Sequence, residues 1–139
     1  MNIRVDDPLE NDLPWGVSLL RSFSVTAFGE KMMLSHKVEL KEYGQGVKAD
    51  FVHGENVTLA FWSIPEGTNL PAHDHPHEQI VNLLEGEFEL TVGSETKRLT
   101  AGSIVVIPSG KVHSGRAVTS CRVIDTFHPV REDFALPTG

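Results

Sequence analysis

The feature that most constrains the fold is a series of short apolar runs, each ended by turn residues, that begins near residue 36. Residues 57–64 alternate apolar with small or polar side chains and stop at Pro65-Glu66-Gly67. Similar runs follow at residues 80–84, 88–92, 104–107, 113–118 and 121–127. Alternation with a period of two is typical of strands buried on one face, and no helical period is sustained in this region. The sequence therefore predicts an all-β sandwich or barrel.

The chain divides at about residue 35. Its 139 residues fit one domain that can bury a core without disulfides. Residues 36–139 carry the strand pattern, whereas residues 1–35 show no single period. This N-terminal extension can be interpreted as containing a strand over residues 17–25, as an arm that packs on a partner subunit, or as a segment upstream of a later start such as Met33. All three interpretations stay open.

Composition argues against several classes of partner. With 12 Lys and Arg against 19 Asp and Glu, the formal net charge is −7, and no basic cluster offers contacts to nucleic-acid phosphates. No apolar stretch approaches the roughly 20 residues that span a bilayer, and the acidic N-terminus does not resemble a signal peptide. Cys121 is the only cysteine, so no intrachain disulfide can form and a buried thiol is expected. These observations favour a cytoplasmic protein without nucleic-acid or membrane partners.

A His-x-His pair, His73 and His75, is the first group that packing does not explain. If the segment is a strand, residues i and i+2 project from the same face, so the two imidazoles lie together. Gln79 shares this face if the strand resumes, and His113 would join them from a separate element. Imidazole nitrogens suit transition metals, and an amide oxygen is a weaker, neutral ligand. Because such a pair also arises by chance, the prediction of a metal site depends on the longer pattern around it.

That longer pattern resembles the two sequence motifs of the cupin family. The first motif is matched at Gly67, His73, His75, Gln79 and Gly86. The second motif is matched at Gly102, Pro108, Gly110 and His113. The resemblance implies a double-stranded β-helix, or jelly-roll barrel, and one divalent transition metal ion (Ni, Zn, Fe, Mn or Co). The implied ligands are His73, His75, Gln79 and His113, and analogy with small cupins implies a homodimer.

Two positions depart from the cupin pattern. The family usually has Glu at the position of Gln79, and often has Asn at the position of Ala117. The neutral amide of Gln79 leaves the full charge on the metal ion, which favours Lewis-acid chemistry over the higher oxidation states of dioxygen chemistry. Glu78 is an alternative ligand, but its odd spacing from His75 points it to the opposite face of a strand, so Gln79 is preferred.

The C-terminal part of the chain narrows the resemblance. Residues 73–79, 84–90 and 125–134 are similar to the cupins of pectin degradation, which open the ring of 4,5-unsaturated uronic acid monosaccharides. The similarity covers about residues 45–134. It implies that Asp125 moves a proton, that Phe127 packs on the sugar face and that Arg131 pairs with the substrate carboxylate. Taken alone, Asp125 is also compatible with a turn, Phe127 with a core position and Arg131 with a charged tail.

The sequence thus predicts a metal-dependent cupin acting on a small carboxylated, sugar-like substrate, with ring opening of an unsaturated uronate to a linear keto-uronate as its reaction. Two other functions stay open. One is an Fe(II)-dependent cupin dioxygenase, and the other is a non-enzymatic cupin that binds a sugar acid or a metal. No segment resembling a helix-turn-helix is visible, which argues against a sensor domain joined to a DNA-binding domain.

Overall fold

The computed structural model describes residues 35–136, and every regular element in this range is a β-strand. The strands are β1 (Lys41–Gly44), β2 (Val47–His53), β3 (Thr58–Ile64), β4 (Asn69–His73), β5 (Glu78–Glu85), β6 (Phe88–Val92), β7 (Glu95–Leu99), β8 (Ile104–Ile107), β9 (His113–Ala117) and β10 (Cys121–His128). No helix in this range is long and apolar enough to cross a membrane. The predicted extension, including the candidate strand at residues 17–25, lies outside the described residues except for Ser35.

The strands form two antiparallel sheets. The larger sheet has the order β1-β2-β3-β10-β5-β8, and the smaller sheet has the order β4-β9-β6-β7. Strands that follow one another in the chain often belong to different sheets, as β4 and β5 do, so the chain crosses repeatedly between the two layers. Such crossing is the signature of a jelly roll. The prediction of an all-β jelly-roll barrel is confirmed.

The core lies between the two sheets and follows the period of the strands. Along β10, Cys121, Val123, Asp125 and Phe127 are buried, while the residues between them are partly exposed. On β5, Leu83 is fully buried within the same cluster. Full burial of such an aliphatic side chain contributes about 1.5–3 kcal/mol. The inward face therefore stabilises the barrel and also carries one carboxylate, Asp125, into its interior.

One interpretation made from the sequence is wrong. β4 ends at His73, and residues 74–77 form a loop that leads from the smaller sheet to the start of β5 in the larger one. His73 and His75 therefore do not share a strand face. The alternation signal was missing because all five residues of β4 are exposed, so this strand has no apolar period to detect.

Candidate metal centre and its cavity

Three histidines meet at one end of the barrel. His73 is the last residue of β4 and His113 the first of β9, and the antiparallel register places them directly opposite each other. His75 reaches the same point from the loop after β4. One nitrogen from each of the three rings lies within 4.8 Å of the other two. This cluster could hold a metal ion.

The orientation of each ring is set by a hydrogen bond to the main chain. In all three histidines Nδ1 donates to a carbonyl oxygen two residues away. The acceptors are Pro71 for His73 (2.7 Å), His77 for His75 (3.0 Å) and Lys111 for His113 (2.8 Å). Because a neutral imidazole carries one N–H, this arrangement leaves the Nε2 lone pair of every ring available to a metal ion.

Two features of this cluster fit a bound cation: one buried nitrogen has no partner, and two acceptor atoms face each other. The Nε2 atom of His113 is buried and has no hydrogen-bond partner among the described residues. The Nε2 atom of His75 lies 3.1 Å from Oε1 of Gln79. With the proton of His75 on Nδ1, this contact brings two lone pairs together, and a cation bound by both atoms would remove the repulsion. Burial lowers the pKa of both His75 and His113, which favours the neutral, ligating form.

Gln79 lies on the inward face of β5, and Glu78 on its outward face. Gln79 is buried and lines the cavity beside the histidines, whereas Glu78 is exposed. The placement agrees with the even spacing of Gln79 from the His-x-His pair, although the intervening loop changes sheets. The side chain available to the candidate metal centre at this point is therefore a neutral amide.

Asp125 is a buried carboxylate on the neighbouring strand, β10. The indole Nε1–H of Trp62 donates to its Oδ2 atom at 3.0 Å, while Oδ1 makes no hydrogen bond of good geometry with the described residues. Burial raises the pKa of Asp125 to about 7, against the smaller lowering effects of the Gln79 amide, the Trp62 indole and the Arg131 charge. A group with this pKa can both accept and release a proton near neutral pH.

Arg131 follows β10 and lies between two aromatic rings. Its guanidinium carbon is 4.8 Å from the ring centre of Phe127 and 4.0 Å from that of Phe134. Its Nε and Nη2 atoms donate to the carboxylate of Asp133 at 2.9 and 2.7 Å. One edge of the guanidinium is thus already paired, which the sequence did not indicate, and the remaining N–H groups are those available to a ligand.

A cavity of about 410 Å³ joins these groups. Its wall includes all seven residues predicted from the sequence, namely His73, His75, Gln79, His113, Asp125, Phe127 and Arg131. It also includes three aromatic residues that the sequence analysis missed, namely Tyr43, Trp62 and Phe134. Trp62 had a detectable signal, because it lies on the same alternating face of β3 as buried Ala60 and Ile64. Tyr43 and Phe134 had none, since they reach the cavity from an edge strand and from the segment after β10.

Comparison with known proteins agrees with this architecture. The family model of the cupin domain matches residues 60–127. The structure of an RmlC-like cupin from Shewanella frigidimarina is 30% identical in sequence, with a TM-score of 0.67 and coverage of 74% of this chain and 94% of that chain. The chain belongs to the cupin family. Its all-β barrel and histidine cluster are therefore those of a cupin with a candidate metal site.

Two further proteins are similar to this cupin. The structure of KdgF from Halomonas sp. is 26% identical, with a TM-score of 0.65 and coverage of 69% of this chain and 92% of that chain. PuuR of Escherichia coli, an HTH-type transcriptional regulator, is 31% identical over 124 residues, which cover 83% of this chain and 67% of the regulator. Both similarities extend over more than two thirds of this chain.

Proposed function

We propose that this cupin binds one divalent transition metal ion through His73, His75, Gln79 and His113 and opens the ring of a 4,5-unsaturated uronate monosaccharide. The observation that carries the proposal is that one cavity joins the imidazole cluster, a buried carboxylate and a guanidinium. The similarity to KdgF and the resemblance to the pectin-degradation cupins support this substrate class.

The reaction is an isomerisation in which a proton changes place. The C1 hydroxyl loses its proton, the bond between C1 and the ring oxygen breaks, and C4 gains a proton as the resulting enol becomes the C5 ketone. Nothing is oxidised, so the proposed reaction needs no redox cofactor. When bound, the metal ion supplies Lewis acidity that polarises a substrate oxygen.

The protein side chains divide the remaining tasks. Asp125 moves the proton, because its Oδ2 atom is held by Trp62 and its Oδ1 atom makes no hydrogen bond of good geometry within the described part of the chain. The free edge of Arg131 pairs with the substrate carboxylate, while Asp133 occupies the other edge. The Phe127 ring, packed under that guanidinium, supports the face of the sugar.

The direct test is to load the protein with Ni²⁺, Co²⁺, Mn²⁺, Zn²⁺ or Fe²⁺ and add the unsaturated monosaccharide. Ring opening removes the conjugated double bond, so the ultraviolet absorbance of the substrate decays. We expect decay with wild-type protein and none with the Asp125→Ala variant. A rate equal to that of buffer with every metal would exclude this function.

A second candidate is a binding domain without turnover, which the similarity to PuuR favours. In that case the same uronate would bind saturably and raise the melting temperature, and its absorbance would not change. An Fe(II)-dependent dioxygenase, the other alternative, would consume dioxygen when Fe²⁺ and a candidate enol or thiol are added together. The three outcomes are distinct in one set of measurements.

We also propose that the active form is a homodimer. An exposed apolar patch lies on the outward face of the larger sheet and consists of Ile80, Leu84, Ile104 and Val106. Ile80 pairs with Val106 across β5 and β8, and β8 forms one edge of the sheet. An uncharged patch next to a sheet edge fits a second copy of itself, because charged residues close to a two-fold axis would face their own copies.

A further inference from the structure

The Gln79 side chain lies between the histidine cluster and the Asp125 carboxylate. Its Oε1 atom is 3.1 Å from Nε2 of His75. The buried Asp125 carboxylate lies on its other side, and its Oδ1 atom makes no hydrogen bond of good geometry with residues 35–136. β5 and β10 are paired so that Gln79 is opposite Phe127 and Val81 is opposite Asp125, which makes Gln79 and Asp125 diagonal neighbours on the inward face.

The two ends of an amide are chemically different, and only one assignment suits these neighbours. A carboxylate accepts hydrogen bonds, so the end of Gln79 that faces Asp125 is its NH₂ group. The carbonyl oxygen then faces the three imidazole lone pairs. Trp62 completes the arrangement, because its N–H holds Oδ2 of Asp125 at 3.0 Å and leaves Oδ1 for the Gln79 side.

We propose that Asp125 is the positioning residue for the metal ligand Gln79, and that Trp62 in turn orients Asp125. The carboxylate keeps the amide of Gln79 turned so that its oxygen, not its nitrogen, faces the metal ion. This inference rests on the metal centre of the proposed function but not on the ring-opening reaction. It assigns Asp125 a second task beside proton transfer.

The same geometry explains why this chain has Gln where cupins usually have Glu. A Glu at position 79 would place its carboxylate against that of Asp125 inside a buried site, where like charges repel strongly. In most cupins the metal ligand itself carries the negative charge. Here Asp125, which lies behind the ligand Gln79, carries that charge. The amide of Gln79 lies between that carboxylate and the histidine cluster.

Two substitutions at position 125 separate the effect of the Gln79 amide orientation from the effect of the negative charge on Asp125. Asp125→Asn and Asp125→Ala both remove one negative charge. In the Asn variant Trp62 still donates to the side-chain oxygen, so the Asn NH₂ faces Gln79 and turns the Gln79 oxygen away from the metal. In the Ala variant no group imposes this reversal. We expect the affinity for Co²⁺ to be about 10-fold lower in the Asn variant than in the Ala variant.

A second pair of variants tests the same idea in a case where net charge alone predicts the opposite order of Co²⁺ affinities. Asp125→Asn combined with Gln79→Glu should restore Co²⁺ affinity, because both oxygens of a carboxylate are acceptors. One oxygen can accept from the NH₂ group at position 125 while the other faces the metal ion. It should bind Co²⁺ more tightly than Gln79→Glu alone, although the single variant carries one more negative charge. The Co²⁺ absorption spectrum of the double variant should return to the wild-type form if the ligand set is restored.

The readouts are Co²⁺ affinity by competition titration and the absorption spectrum of bound Co²⁺, with circular dichroism as a check of folding. Equal affinities for Asp125→Asn and Asp125→Ala, or tighter binding by Gln79→Glu than by the double variant, would show a pure charge effect and overturn the proposal. No substrate is used, so a failure of ring opening leaves this test unaffected. Absence of Co²⁺ binding by the wild-type protein would overturn both proposals.

Discussion

At the scale of single residues, the chemistry of a histidine here depends on where its ring nitrogens are directed. His113 donates Nδ1–H to a main-chain carbonyl, and its buried Nε2 atom has no hydrogen-bond partner within residues 35–136. His128 belongs to the neighbouring sheet and lies exposed at the end of β10. The two residues have the same side chain, but only His113 has a lone pair directed at other potential ligands. This contrast provides a matched pair for mutation.

We predict that His113→Ala lowers metal affinity by at least about 100-fold, because it removes one of a few ligands and leaves a gap in the cluster. His128→Ala should change the affinity by less than about 2-fold, since an exposed ring has no role in the cluster. Metal content after dialysis and competition titration would measure both effects. Equal losses in the two variants would place the metal elsewhere.

The buried carboxylate of Asp125 predicts a pH dependence of stability in the metal-free protein. Its pKa is about 7 in the folded chain against 3.8 for an ordinary Asp, so the folded state holds the proton more tightly. Stability should therefore fall as the pH rises from about 4 to about 7. We expect Asp125→Asn to remove this contribution and to be more stable than wild type above pH 7 by about 1–4 kcal/mol.

Urea unfolding of metal-free protein at a series of pH values would test this prediction. The exposed carboxylate of Glu85 provides the control, because Glu85→Gln removes a charge without burial and should leave the pH profile of wild type unchanged. A pH profile of Asp125→Asn that coincides with that of wild type would show that Asp125 makes no such contribution.

At the scale of elements, the site depends on how closely the strands approach one another. Gly115, in the middle of β9, faces inward two residues after His113, and a methyl group there would overlap the ring of Phe88 on β6. The missing side chain allows the Phe88 ring to pack directly against the backbone of β9. Close packing of β6 on β9, the strand that begins with His113, therefore depends on a glycine at this position.

We predict that Gly115→Ala destabilises the barrel by about 1–3 kcal/mol, because the added methyl group overpacks a tight contact. Arg116→Ala, the exposed neighbour on the same strand, should change the free energy of unfolding by less than about 0.5 kcal/mol. Chemical denaturation of both variants measures the difference. A Gly115→Ala variant as stable as wild type would mean that the Phe88 ring moves aside at no cost.

At the scale of the whole molecule, the candidate site is built from both sheets. His73 and His113 come from the smaller sheet, while Gln79 and Asp125 come from the larger sheet. A metal ion bound by both groups would link the two layers and stabilise the folded state by mass action. The outward face of the larger sheet, by contrast, carries the apolar patch proposed as the dimer interface.

We predict that Ile104→Lys combined with Val106→Lys converts a dimer into a monomer. These side chains are 63% and 54% exposed, and two lysines in each copy would bring like charges into the proposed interface. Val112→Lys is the control, because Val112 is 46% exposed and lies outside the patch. Light scattering after size-exclusion chromatography gives the mass, and a wild-type monomer, or a double variant that stays dimeric, would contradict the interface.

Whether a feature of this fold could be predicted from the sequence depends on how far apart in the chain the interacting residues lie. Phe88, Leu90 and Val92 alternate with polar residues, so the burial of one face of β6 is visible locally. β4 has no apolar alternation because its residues are exposed, and it became visible only through its pairing with β9. The Arg131–Asp133 pair was equally hidden, since adjacent charged residues read as an exposed tail.

The sequence by itself determined the all-β class and the presence of the cupin motifs, because strand period and motif spacing are properties of nearby residues. The seven residues proposed for the site came from the resemblance that these motifs and the C-terminal segment carry. The structure alone decided that the chain changes sheets between His73 and Gln79, that all three imidazoles direct Nε2 to one point, and that Trp62 holds Asp125. These features depend on contacts between residues far apart in the chain. Only the packing of the two sheets brings such residues together.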